Sequence, residues 1–302
     1  MTRKQRFLFI LLILILFVFP VNGYAEINTG KITLRDGARI YYEAMGDPQH
    51  QNILFIHGWS CSSLYWQKQL KGLSSKYYTV AIDLRGHGRS DKPSSGYTLG
   101  YMAKDIHEVI EKLKLKDVFL IGWSMGGSIV FEYFKQFRGE HLKGICIVDI
   151  GPYSWKTNDY PVGYMDYNNR LKLTRKHTMA YQETKKEEID FIEKMFIQKP
   201  DSHMLDQLKA EYKKAPAYVR SLLILDLFCS DYRDVLEQIN LPTLILRGSW
   251  HKKEKDDPVG KYMNSKIRNS RFVRFYKSGH CPFLEETDKF NRVLSEFIEA
   301  NR

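Results

Sequence analysis

A chain of 302 residues can bury one sizeable core and a modest insertion, so two independent domains are not expected. The formal net charge of +11 suits peripheral contact with an acidic surface, either anionic lipid or an acidic protein, but no Arg-rich or aromatic-interleaved motif points to nucleic acid. The four cysteines form no spaced framework, and neither they nor the histidines fall at zinc-ligand spacing; they read as buried or loop thiols, and no metal is expected.

The chain opens with Arg3-Lys4-Gln5-Arg6, an unbroken apolar run from Phe7 to Phe19, and small residues at Gly23 and Ala25. This is the pattern of a signal peptide cleaved after Ala25, which would make the protein periplasmic or secreted. Retained, residues 1–25 would be a membrane anchor, although the run is shorter than the roughly 20 apolar residues of a spanning helix. Lys31–Arg35 and Ala38–Glu43 then flank Asp36-Gly37, a two-residue hairpin signal. Short apolar strands follow at Ile53–Ile56, Thr79–Asp83, Val118–Ile121, Ile145–Asp149, Thr243–Arg247 and Arg271–Phe275. Helical patterns at Leu64–Leu73, Met102–Leu113, Ser128–Phe137 and Phe290–Ile298 separate or follow them, and such alternation builds a mostly parallel sheet by right-handed crossovers. From Gly151 to about Tyr232 the rhythm breaks into a long segment rich in Tyr, Lys and Glu, with helical stretches such as Lys185–Phe196. The organisation is therefore an α/β core over 26–150 and 233–302, interrupted by a helical cap over 151–232. Cap residues Tyr153, Trp155, Tyr160, Tyr164, Met165, Phe191, Met195, Phe196, Leu222, Leu223 and Phe228 either pack the cap on the core or line a pocket.

Three motifs carry chemistry. In Val118-Phe-Leu-Ile-Gly-Trp-Ser124-Met-Gly-Gly127 an apolar strand runs into Gly-x-Ser-x-Gly and on into a helix, the context of a nucleophile elbow. The glycines answer to a strained turn with no room for Cβ atoms at 122 and 126. Upstream, Asn52-Ile-Leu-Phe-Ile-His57-Gly-Trp59 is a buried strand ending in a His-Gly-Trp loop, and downstream Ser278-Gly-His280-Cys-Pro-Phe-Leu-Glu-Glu precedes the last helix. With these residues in this order, the chain resembles the α/β-hydrolase superfamily from about Ile32 to the C-terminus. The resemblance implies an eight-stranded, mostly parallel sheet flanked by helices, with a cap that roofs the site.

It also implies roles. Ser124 would be the nucleophile and His280 the general base, and the backbone amides of Trp59 and Met125 would form the oxyanion hole. His57 would shape the oxyanion loop, and Asp83-Leu-Arg-Gly-His-Gly-Arg-Ser-Asp-Lys-Pro93 would stand beside it without chemistry of its own. The acid is open. Many relatives carry it in Gly-x-x-Asp after the strand that follows the cap, where this chain reads Gly248-Ser-Trp-His251. Asp149, at the end of the strand after the elbow helix, is favoured; Asp257, further along the Gly248 loop, is the alternative, and Asp231 comes third, since it reads as a helix start. The implied activity is cofactor-free cleavage of a small-molecule carboxylic ester through an acyl-enzyme. The His-Gly-Trp and Gly-Trp-Ser-Met-Gly-Gly pair is similar to pimeloyl-acyl-carrier-protein methyl ester esterases, with Arg170, Lys172, Arg175, Lys176, Lys185 and Lys186 as a docking patch. Lactone hydrolysis, cofactor-free haloperoxidation and a non-catalytic ligand-binding role stand as alternatives.

Overall fold

The computed structural model of the chain describes residues 26–163, 165, 166, 168, 171, 172, 191–249 and 256–302. The leader, Tyr164, His251 and the basic cap residues Arg170, Arg175, Lys176, Lys185 and Lys186 lie outside these; Lys172 lies within them and is exposed.

Eight strands form one sheet: β1 (Asn28–Thr33), β2 (Arg39–Met45), β3 (Asn52–Ile56), β4 (Tyr78–Ile82), β5 (Val118–Trp123), β6 (Leu142–Val148), and, after the small pair β7 (Trp155–Lys156) and β8 (Met165–Asp166), β9 (Thr243–Gly248) and β10 (Ser270–Phe275). Their spatial order is β1-β2-β4-β3-β5-β6-β9-β10. Within this sheet the β1–β2 and β2–β4 pairings are antiparallel. The pairs β3–β4, β3–β5, β5–β6, β6–β9 and β9–β10 are parallel. Every residue of β3, β5 and β9 is buried, as in a parallel sheet covered on both faces, where strands read as continuous apolar runs.

The covering helices begin with α1 (Gln67–Leu73), between β3 and β4, and follow from apolar spacing and caps. In α2 (Leu99–Lys112) Thr98 accepts from the Tyr101 amide at 3.1 Å, and Met102, Ala103, Ile106, Val109 and Ile110 form the buried face. The Thr287–Ala300 helix buries Phe290, Val293, Leu294, Phe297 and Ile298, one stripe at helical spacing. Each such side chain removed from water contributes about 1.5–3 kcal/mol before entropy is counted. Between β6 and β9 the described residues include the helices Ser202–Lys214 and Ala217–Cys229. No helix among the described residues is long and apolar enough to cross a membrane.

Three local expectations shift. The hairpin is not a two-residue turn: pairing ends at Thr33 and Arg39, and the Leu34 amide bonds to the Ala38 carbonyl at 2.8 Å. Asp36 Oδ1 accepts from the Ala38 amide at 3.0 Å, and this local bond with Gly37 at φ +86° widens the turn. The elbow helix α3 (Met125–Phe137) starts at Met125 rather than Ser128, directly against Ser124. A helix not foreseen, Pro258–Lys266, is started by Asp257, whose side chain accepts from the Gly260 amide at 2.9 Å, with proline in its first turn.

Candidate active site

Because the central strands are parallel, the segments following β3, β5, β6, β9 and β10 all leave one edge of the sheet, the edge where open α/β sheets place their ligands. All three motifs sit there. Ser124 has φ +53° and ψ −125°, a backbone state that costs about 1–3 kcal/mol and persists only where the surroundings impose it. Its amide bonds to the Val148 carbonyl at 2.8 Å. A Cβ at Gly126 would lie 2.5 Å from the Ile56 carbonyl oxygen, and one at Gly122 would run into the Gly126 carbonyl. The flanking Trp123 and Met125 are fully buried, whereas Ser124 keeps partial exposure.

Asp149 follows β6, the neighbouring strand, and its positive φ of 50° turns the chain there. Its Oδ2 accepts from His280 Nδ1 at 2.5 Å, and its Oδ1 accepts from the Gly248 amide at 3.1 Å. Arg247 Nη1 stands 3.4 Å from the same Oδ1. Burial alone would raise the pKa of this carboxyl, but the Arg247 charge, the His280 hydrogen bond and the Gly248 amide outweigh it and hold the group below the ordinary carboxylate value. An ionised carboxylate only accepts, so His280 Nδ1 carries the proton and Nε2 is the atom with a lone pair.

The structure brings Asp149, and not Asp257, to His280. Asp257 accepts from Arg247 Nε at 2.9 Å, lies 3.2 Å from Arg274 Nη1, and caps the following helix. Asp231 pairs with Arg233, accepting from its amide at 3.1 Å beside the short helix Arg233–Leu236.

His280 is fixed through its backbone: its amide donates to the Met195 carbonyl at 2.7 Å and its carbonyl accepts from Trp123 Nε1 at 2.7 Å. Glu285, the first of the two glutamates that close the histidine motif, has no role legible in the sequence. Its Oε2 accepts from the Gly279 amide at 2.7 Å and its Oε1 from the Ile197 and Gln198 amides at 2.8 and 2.9 Å, tying the histidine loop to the segment between β6 and β9. Gly279 packs so closely that a Cβ would sit 2.6 Å from the Met195 oxygen, and a Cβ at Gly248 would overlap the Gly279 carbonyl. Arg247 and Arg274 are functional candidates that the sequence does not single out; the available signal was the lone arginine in the apolar run of β9, whereas β10 holds Arg271 as well and gives no such signal.

The His57-Gly-Trp59 loop lies against the elbow, with a Cβ at Gly58 only 3.1 Å from the Ser124 Cβ. His57 Nε2 accepts from the Leu84 amide at 2.9 Å, which puts the proton on Nδ1, 2.7 Å from the Gly58 carbonyl. Burial lowers the pKa of His57, so it stays neutral and structural. Asp83 anchors the adjoining loop, accepting from the Ser63 and Arg89 amides at 2.7 Å each. Trp59 Nε1 donates to the Arg220 carbonyl at 2.9 Å, and Trp59 meets Phe191 and Tyr212 edge-on at 5.3 and 5.8 Å, so residues from the segment between β6 and β9 pack directly on this loop. Of the other cap residues singled out, Trp155, Tyr160, Leu223 and Phe228 are buried in packing, and Leu222 is exposed. The four cysteines are free thiols.

Comparison with known proteins gives the same architecture. The sequence model of the family described as alpha/beta hydrolase fold matches residues 51–287. The chain is 31% identical to the AB hydrolase superfamily protein YisY of Bacillus subtilis, over 82% of this chain and 91% of that protein. It is 26% identical to the bifunctional esterase/perhydrolase DCH of Acinetobacter calcoaceticus, over 90% of this chain and all (100%) of that one. Among solved structures, the esterase EaEST of Exiguobacterium antarcticum superposes with a TM-score of 0.79 at 29% identity, covering 89% of this chain and 98% of that one.

Proposed function

Since the chain belongs to the alpha/beta hydrolase family, we propose that it is a serine hydrolase cleaving a carboxylic ester through an acyl-enzyme, with Ser124, His280 and Asp149 as its triad. The observation that carries this reading is the 2.5 Å hydrogen bond from His280 to a buried, ionised Asp149 just past the end of β6, the strand that pairs with the one leading into the Ser124 elbow. Ser124 Oγ attacks the acyl carbon while His280 Nε2 takes its proton. Asp149 holds the Nδ1–H tautomer and the imidazolium that forms. The amides of Trp59 and Met125 receive the oxyanion, the latter at the N-terminus of α3, and each such donor accounts for about a hundredfold or more in rate. His280 returns the proton to the leaving alcohol, then activates water to release the acid and restore Ser124. The leader supports placing the enzyme outside the cytoplasm, or on the membrane if residues 1–25 are retained.

A second reading uses the same intermediate. The likeness to a bifunctional esterase/perhydrolase supports hydrogen peroxide as an alternative to water: its attack on the acyl-serine yields a peracid and free Ser124.

The test is hydrolysis of p-nitrophenyl esters from acetyl to octanoyl length by the protein and by Ser124→Ala, with intact-mass detection of fluorophosphonate labelling. Turnover and labelling that both vanish in Ser124→Ala support the reading. A folded protein that neither turns over any ester nor is labelled at Ser124 refutes it.

A further inference from the structure

Behind the Asp149–His280 pair runs a buried chain of alternating charge that the proposed mechanism does not use. Arg247 on β9 and Arg274 on β10 are register partners in adjacent parallel strands, each 8% exposed. Two like charges side by side in a sheet repel. Asp257 reaches between them from the head of the next helix, at 2.9 Å from Arg247 Nε and 3.2 Å from Arg274 Nη1. Arg247 then reaches Asp149 Oδ1 at 3.4 Å, and Asp149 reaches His280. The run His280, Asp149, Arg247, Asp257, Arg274 therefore crosses four ion-paired contacts, with side chains nearly withdrawn from water.

We propose that Arg247 and Asp257 are positioning residues that tune the triad: Asp257 anchors Arg247 against Asp149, and the Arg247 charge sets how firmly the Asp149–His280 pair holds a proton. This rests on the triad assignment above. A fixed positive charge beside Asp149 draws part of its field away from His280, so the imidazole gives up its proton more readily and serves as base at lower pH. Asp257 moderates that charge. The residue standing in the loop where many relatives keep their acid thus acts on the triad through an arginine instead of touching His280. Among the described residues, the other titratable groups facing this chain include Cys281 beside His280, Glu285 beneath Gly279, Tyr276, whose ring centroid lies 5.9 Å from the Arg274 guanidinium, and Asp256, which pairs with Lys261 at 2.5 Å.

The two substitutions should move the titration in opposite directions, which a merely structural role would not produce. Arg247→Gln removes the positive charge, and the midpoint of the Asp149–His280 pair moves up by about one pH unit or more. Asp257→Asn keeps the helix cap, since asparagine caps as well as aspartate, but leaves Arg247 less neutralised, so the midpoint moves down by a smaller amount. Arg247→Lys keeps the charge and holds the midpoint near that of the parent. The readouts are the acid limb of kcat/KM for a p-nitrophenyl ester and the His280 ring signals followed by NMR across pH. Opposed shifts of these signs support the proposal. Shifts of one sign in both variants, or none in either, overturn it; if Arg247→Gln does not fold, an unmoved Asp257→Asn midpoint overturns it alone. NMR shifts of the stated signs in a protein that cleaves no ester would uphold the tuning network and refute the esterase reading.

Discussion

The His57-Gly-Trp59 loop and the Asp83–Pro93 loop beside it are held by two neutral, fully buried histidines, and this makes the fold acid-sensitive by a definite amount. His57 and His87 lie with ring centroids 5.1 Å apart and no exposure. His87 Nδ1 contacts the Arg85 carbonyl at 2.9 Å, which identifies it as the protonated nitrogen. Nε2 is buried and has no hydrogen-bond partner among the described residues. Burial, with the neighbouring His57, pulls the His87 pKa down from 6.5 to about 3. Unfolded, the same side chain titrates near the ordinary value of about 6.5. Below that pH the unfolded chain binds a proton that the folded one refuses, so stability falls as pH drops from about 6.5 towards 3. Between pH 7 and pH 5 the loss from His87 alone is about 2 kcal/mol, and His57, shifted in the same direction, adds to it. The assay is urea unfolding at matched ionic strength at both pH values, for the parent and for His87→Asn. Asparagine can place its amide nitrogen near the Nδ1 position and does not titrate. The variant is less stable at pH 7, but its loss between pH 7 and pH 5 is smaller by about 2 kcal/mol, and every other titrating group cancels in the comparison. An equal loss in the two proteins would refute the reasoning, because His87 would then be charged in the fold or uninvolved.

Three further outcomes follow from the geometry. Asp149→Asn removes the acceptor that fixes the His280 tautomer and lowers kcat/KM for esters by about 10³–10⁴-fold, read from initial rates. Gly248→Ala drives a methyl into the Gly279 carbonyl, backbone against backbone, and costs about 3 kcal/mol in urea unfolding; a change within a few tenths would show that the two loops are not packed as described. Thiol titration of the native protein modifies Cys229 rapidly, whereas Cys61, Cys146 and Cys281 react only after denaturation, when burial no longer shields them.

The amino-acid sequence by itself determined the sheet, the elbow and the position of the histidine loop. Each is written locally: continuous apolar runs for buried parallel strands, glycines at 122 and 126 where any Cβ meets backbone, and a late Gly-His after the last strand. Turn details were less legible, because Asp36 had a side-chain bond available that widened the hairpin, and because the helix after the elbow needs no residues between itself and Ser124. The choice between Asp149 and Asp257 belonged to the tertiary structure. Both carboxylates stand near the end of a strand, and no local pattern says which will meet a histidine 131 residues away from the first of them. That is decided by which strands lie side by side: β6 and β9 are neighbours, so Gly248 donates to Asp149 while Arg247 occupies Asp257. A lone arginine in an apolar strand reads as an anomaly in one dimension. In the fold it is a counter-charge, because a carboxylate stripped of water stays ionised only where other parts of the chain bring it charge and hydrogen bonds.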